Sequence, residues 1–275
     1  MSIIPRLTRI LALSVFVGGL GVAAAQAAPL YGADYGSSGN LFVIDTTTGS
    51  ASVTANIGTS IGDLTSDTRP GSATVWGVDL TANALATFDP DTGSATSTVA
   101  ITNADITSIA FDVVTGTLFG NDTLSFGSSR NLYMIDTMTG AATLIGDIGY
   151  DNVFALAFDQ SGNLFGVDQS TDGFISIDTS TGAGGLITTG LFSGAFDMAS
   201  DPDSGTMFLT NAFGQELHTI DTATGLTTLV GPYNQSSNIA GLAFGAAVVP
   251  VPAALPLMLL GLASLGMARQ RRRAA

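Results

Sequence analysis

The chain has 275 residues, 22 acidic groups against 8 basic ones, a formal net charge of −14 and no cysteine. All 8 basic residues are arginines, so thiol and amine nucleophiles, disulfides and thiolate metal sites are excluded. The acidic balance also excludes a surface built for nucleic acid or anionic headgroups.

In chain order, Arg6 and Arg9 come first and precede an apolar stretch from Ile10 to Ala25. Ala25-Gln26-Ala27 then forms a small-residue cleavage site. Residues 1–27 therefore read as a signal peptide cut after Ala27 by signal peptidase. The last 27 residues mirror this arrangement: Val249-Pro250-Val251-Pro252, an apolar run from Ala253 to Ala268, then Arg269, Arg271, Arg272 and Arg273. Sixteen apolar or small residues make a helix of roughly 24 Å, near the hydrocarbon thickness, with the arginines held on the cytoplasmic side.

Between the two ends, at 28–248, only Arg69 and Arg130 offset all 22 acids, which leaves that span at −20. It is an internal repeat array. An aromatic-Gly-x-Asp landmark recurs at Tyr31-Gly32, Trp76-Gly77, Phe119-Gly120 and Phe165-Gly166, with a degenerate copy at Phe208-Leu209. Asp-x-x-Thr-Gly or a close variant starts at Asp45, Asp89, Asp136, Asp178 and Asp221, at spacings of 44, 47, 42 and 43 residues. A third landmark is a short run ending near an acid: Ile61 to Asp67, Ile106 to Asp112, Val153 to Asp159, Phe196 to Asp201 and Ile239 to Gly245.

Each period holds four short apolar runs between turn residues, and no segment carries a helical stripe. Four strands in about 43 residues is the size of one propeller blade. The expectation is an all-β, five-bladed β-propeller of four-stranded blades. Ile239–Phe244 would complete the first blade and close the ring. Runs such as Leu41–Ile44 and Leu132–Ile135 are apolar throughout, which predicts cover on both faces. Trp76 is expected in the core.

The tail resembles a PEP-CTERM sorting signal, with Val251 where that signal usually carries Glu. The resemblance implies an exosortase substrate of a Gram-negative bacterium. Such a protein is anchored transiently in the inner membrane, then displayed or released, in a context of exopolysaccharide and biofilm. The repeats resemble bacterial propeller-like proteins with "LYGVD…LYxIDTxTG" units, a likeness specific for architecture only.

The aspartates of the Asp-x-x-Thr-Gly units read as hairpin-turn residues that accept nearby backbone N–H groups. A sharper reading places Ca²⁺ at Asp89 with Asp91 and at Asp201 with Asp203, where two carboxylates stand two residues apart. His218, the single histidine, stands where other copies hold packed aromatics. No nucleophile elbow and no phosphate loop is present, so no catalytic residue is assigned. Three function classes stay open: a non-enzymatic surface or matrix protein, a cation- or glycan-binding module, and a polysaccharide hydrolase or lyase using acids at the propeller mouth.

Overall fold

The computed structural model describes residues 27–35, 39–69, 72, 74–90, 92–122 and 130–245. The signal peptide up to Gln26, including Ala25, lies outside them, as do Asp91 and the sorting residues from Val249 and Pro252 to Arg273.

Five antiparallel sheets of four strands carry the described chain. The first holds β1 (Leu30–Asp34), β2 (Asn40–Ile44) and β3 (Ala51–Asn56). The second is β4 (Ile61–Asp67), β5 (Thr74–Asp79), β6 (Ala84–Phe88) and β7 (Ala95–Ala100). The third is β8 (Ser108–Asp112), β9 (Thr117–Asn121), β10 (Asn131–Ile135) and β11 (Ala142–Asp147). The fourth is β12 (Val153–Phe158), β13 (Leu164–Asp168), β14 (Gly173–Ile177) and β15 (Gly184–Thr189). The fifth is β16 (Met198–Ser200), β17 (Met207–Asn211), β18 (Glu216–Ile220) and β19 (Thr227–Pro232). The last strand, β20 (Ile239–Phe244), returns to the first sheet and pairs with β1 in the register Leu30↔Phe244 and Gly32↔Leu242. Its neighbours on the inside are β4 and β16, so β20, β4, β8, β12 and β16 form a closed inner ring. The fold is a five-bladed propeller, closed as the repeat register predicts.

Five apolar clusters fill the five gaps between blades. In three copies the aromatic of the aromatic-Gly landmark reaches the phenylalanine at the end of the next blade's inner strand. Trp76 stacks on Phe111 at 4.8 Å, Phe119 meets Phe158 at 5.3 Å, and Phe208 meets Phe244 at 5.8 Å across the closure. Trp76 is thus a core residue.

The glycine of that landmark makes room for a branched side chain. A Cβ on Gly120 would lie 2.7 Å from Ile135 Cδ1 and 2.9 Å from Ile106 Cγ2. Gly32, Gly77 and Gly166 face Ile239, Ile61 and Val153 in the same way. The degenerate fifth copy exchanges the two volumes: Leu209 replaces the glycine, and Ala195 stands where the others carry Ile or Val. Gly120→Leu should therefore destabilise the protein by at least about 1–3 kcal/mol through overpacking. Adding Ile106→Ala should restore much of the loss; denaturant midpoints of the single and double variants check this.

The aspartates that begin the repeat turns behave as the turn reading expects. Asp45 Oδ1 accepts the N–H groups of Thr47 (2.7 Å) and Thr48 (3.1 Å), and Gly49 takes φ 76°. Asp136, Asp178 and Asp221 repeat the pattern before Gly140, Gly182 and Gly225, each at positive φ. These hydrogen bonds hold the four carboxyls below their ordinary range, chiefly through Thr47 for Asp45, Thr139 for Asp136, Ser180 for Asp178 and Thr224 for Asp221.

One expectation needs correction. The all-apolar third strands are not covered throughout: Met134 is 45% exposed. Val43 is half-buried at the matching place. Blades diverge with distance from the axis, so outward-facing positions of the third strand lose their neighbour.

Candidate functional site: the propeller axis and its aromatic mouth

Superposing the inner-strand landmarks gives each copy seven positions, beginning at Ile61, Ile106, Val153, Ala195 and Ile239. The third position holds Asp63, Ser108, Ala155, Asp197 and Gly241. Small residues suit a crowded axis, but two of the five are acids, and both are fully buried.

Backbone amides of four blades converge on these two carboxyls. Asp63 Oδ2 accepts the Ile109 N–H at 3.0 Å, from the third blade. Asp197 Oδ2 accepts the Leu64 N–H at 3.4 Å, from the second blade, and the Leu242 N–H from the first. Asp197 Oδ1 accepts its neighbour's Met198 N–H at 2.6 Å. Register breaks between Ile61 and Leu64 in β4 and between Ile239 and Gly241 in β20 interrupt the inner-strand ladders here, which leaves amides available to the axis.

The two carboxyls also meet each other. Burial pushes Asp63 up to about 7, against the pull of its hydrogen bonds. Burial, then the charge of Asp63, pushes Asp197 well above the carboxylate range. A proton between them is the physical answer to two like charges out of water. Among the described residues Asp63 Oδ1 meets no donor while both carboxyls are ionised, and the proton held by Asp197, whose carboxyl is raised by burial first and in part by its hydrogen bond with Asp63, supplies one.

On one side of this pair the second positions of the landmark, Gly62, Thr107, Phe154 and Phe196, open into a pocket of about 160 Å³. Tyr35 and Phe213 reach it from loops and are 54% and 63% exposed. Phe196 is the central ring: Tyr35 lies parallel to it at 6.3 Å, while Phe154 and Phe213 meet it edge-on at 5.6 and 5.3 Å. The opposite mouth is a smaller hollow of about 60 Å³ with Thr65, Ser66, Asp159, Gln160 and Ser200 in its wall.

The residues singled out from sequence lie elsewhere. Asp89 accepts the Thr92 N–H at 3.2 Å in its turn, and its proposed companion Asp91 is outside the described residues. Asp201 caps a turn through the Asp203 N–H (2.9 Å) and the Ser204 hydroxyl (2.7 Å), while Asp203 Oδ2 accepts the Ala28 N–H at 3.3 Å. Among the described residues no group of three or more His, Cys, Asp or Glu is placed to hold a metal ion. His218 packs its ring 4.5 Å from Phe192 and bonds Glu216 at 3.1 Å, in the aromatic slot expected of it. Both internal arginines are engaged: Arg69 with Asp67 at 2.7 Å and over the Phe111 ring at 5.1 Å, Arg130 with Asp147 and Asp151 at 3.0 and 2.7 Å.

No family model and no curated protein matches the chain. Solved structures do resemble it. A chain of a nidogen/laminin complex is 13% identical over 79% of this chain and 98% of that one, with a TM-score of 0.58. A structural genomics protein of unknown function from Bacteroides thetaiotaomicron is 14% identical over 82% and 68%, with a TM-score of 0.52. Virginiamycin B lyase from Staphylococcus aureus is 12% identical over 75% and 71%, with a TM-score of 0.46. Likeness at this identity is one of fold.

Proposed function

We propose that the protein is a non-enzymatic, exported surface or matrix propeller, sorted by an exosortase system and placed in an exopolysaccharide or biofilm context. The observation that supports a non-catalytic reading is the state of the axial acids. Asp63 and Asp197 are the carboxyls whose protonation is most displaced, which would otherwise mark them as acid–base candidates. Both are sealed from solvent and are occupied by backbone amides of four blades. They act as a fastener of the ring.

Export rests on the two terminal signals. Cutting after Ala27 would turn the Ala28 amide, 3.3 Å from Asp203 Oδ2, into an α-ammonium beside a carboxylate. Only the processed chain can make that pair, a surface contact of up to about 1 kcal/mol. Mass spectrometry of the surface or released form should show an N-terminus at Ala28 and no Arg269–Arg273 tail. A retained arginine tail would remove the sorting reading. Turnover of a polysaccharide by the purified protein, lost in Asp63→Asn, would remove the non-enzymatic one.

A further inference from the structure

We propose that the aromatic mouth binds an organic cation, a methylated ammonium on a small apolar body. This goes beyond the exported, non-enzymatic reading and does not depend on it. The pocket of about 160 Å³ is walled by Tyr35, Phe154, Phe196 and Phe213, with Leu80 completing it. Ring faces attract cations and also shed water readily around methyl groups. The charge carried next to the wall in the chain has the matching sign. Tyr35 follows Asp34 directly in the chain, and Leu80 follows Asp79. Asp34 and Asp79 are fixed by backbone N–H groups, from Asn40 at 2.9 Å and from Thr81 and Ala82 at 2.9 and 3.0 Å.

Among the described residues no arginine lines the pocket, and the two described arginines are paired with Asp67, Asp147 and Asp151. An anion therefore finds no positive side chain in the described wall. A hydrated metal ion meets ring faces where it needs oxygen ligands. A sugar would need several convergent hydrogen-bonding groups, and among the described lining residues only Asn238, Thr107 and Tyr35 carry polar side-chain atoms.

Calorimetric titration of the full-length chain with choline, and with its uncharged isostere 3,3-dimethylbutan-1-ol, tests this. At matched ionic strength choline should bind at least about tenfold more tightly than the alcohol, within the range of a desolvated cation–π contact. Tyr35→Leu and Phe213→Leu, both at exposed rings, should each weaken choline about fivefold or more and leave the melting temperature unchanged. Equal affinity for the two probes would mean an apolar hollow without charge selectivity and would overturn the proposal. So would the absence of binding by either probe, or choline affinity indifferent to both leucine variants.

Discussion

Asp63→Asn is expected to make the protein more stable than the parent at about pH 8, and to flatten its stability between about pH 5 and pH 8. The sign follows from the shift. Asp63 is raised from 3.8 to about 7 in the folded state, so the folded chain holds a proton that the unfolded chain releases. That contribution is fully present below the unfolded value and is lost as pH rises through the folded one. A displacement of about three units corresponds to roughly 4 kcal/mol at most, or about 8–16 °C of melting temperature in a domain of this size. Asp197 is raised too and acts in the same direction. The turn aspartates Asp45, Asp136, Asp178 and Asp221 are lowered, and their contribution is lost only on acidification below the ordinary carboxylate range. Stability should therefore peak on the acid side of neutrality. Tyr233, also fully buried and raised by burial first and then by the charge of Asp197, ionises far above this window.

Asparagine suits position 63 because it copies the protonated acid: its oxygen can accept the Ile109 N–H and its amide can donate to Asp197. Asp197→Asn should behave differently. Both oxygens of Asp197 accept backbone N–H groups, Met198 on one and Leu242 with Leu64 on the other. An amide there must turn NH₂ toward an N–H, so this variant should lose stability at every pH. General repulsion in a domain of −20 also grows with pH, and comparison of parent with Asp63→Asn in the same salt isolates the pair. Thermal melts across the pH range decide it. A parent curve that is flat or rising toward alkaline pH, or an asparagine variant that retains the parent slope, would mean that the pair ionises without cost.

Much of the ring was legible because it depends on local chemistry. The turn residues from Asp45 to Asp221 state the blade period, and Trp76 and Phe119 state the gaps between blades. The register of Ile239 relative to Leu30 states the closure. The axial pair is not legible locally because Asp63 and Asp197 sit on separate blades, and nothing near either one looks unusual. The signal was present all the same. Once the inner strands are aligned, an acid at the third position of two copies stands against Ser108, Ala155 and Gly241 in the others. A buried strand does not hold a lone carboxylate, so two in one layer imply that they meet. The mouth was harder to see, since Phe154 and Phe196 come from inner strands whereas Tyr35 and Phe213 come from loops. Asp201, read from sequence as a Ca²⁺ candidate with Asp203, caps its own loop. Exposure of Met134 depended on how far the blades diverge, which no local pattern carries.

Removing β20 should unravel the first blade and the fifth together. Ile239–Phe244 is buried along its whole length and supplies the first blade's inner strand. Ile239 fills the space beside Gly32, Leu242 donates its N–H to Asp197, and Phe244 meets Phe208 of the fifth blade. The first of these holds β20 to β1 within the first blade and the other two join that blade to the fifth, so the loss is not confined to the end of the chain. In an open solenoid, stability is a sum of neighbour terms and the first repeat would not register the deletion of the last strand. Here, hydrogen exchange should quicken at Leu41–Ile44 in β2 as well as at Met207–Asn211 in β17, and less at Leu132–Ile135 in β10. The exposed edge of β1 would also invite association, so the truncated chain should be examined at low concentration. Phe244→Ala offers a gentler version: it deletes one ring from the closure at a cost of about 3–5 kcal/mol and keeps the strand. It should weaken protection in β2 and β17 alike, because the cavity it leaves lies between their blades. Unchanged protection at Leu41–Ile44 in both variants would mean that the first blade stands without its closing strand, and that the ring is a juxtaposition and not a cooperative unit.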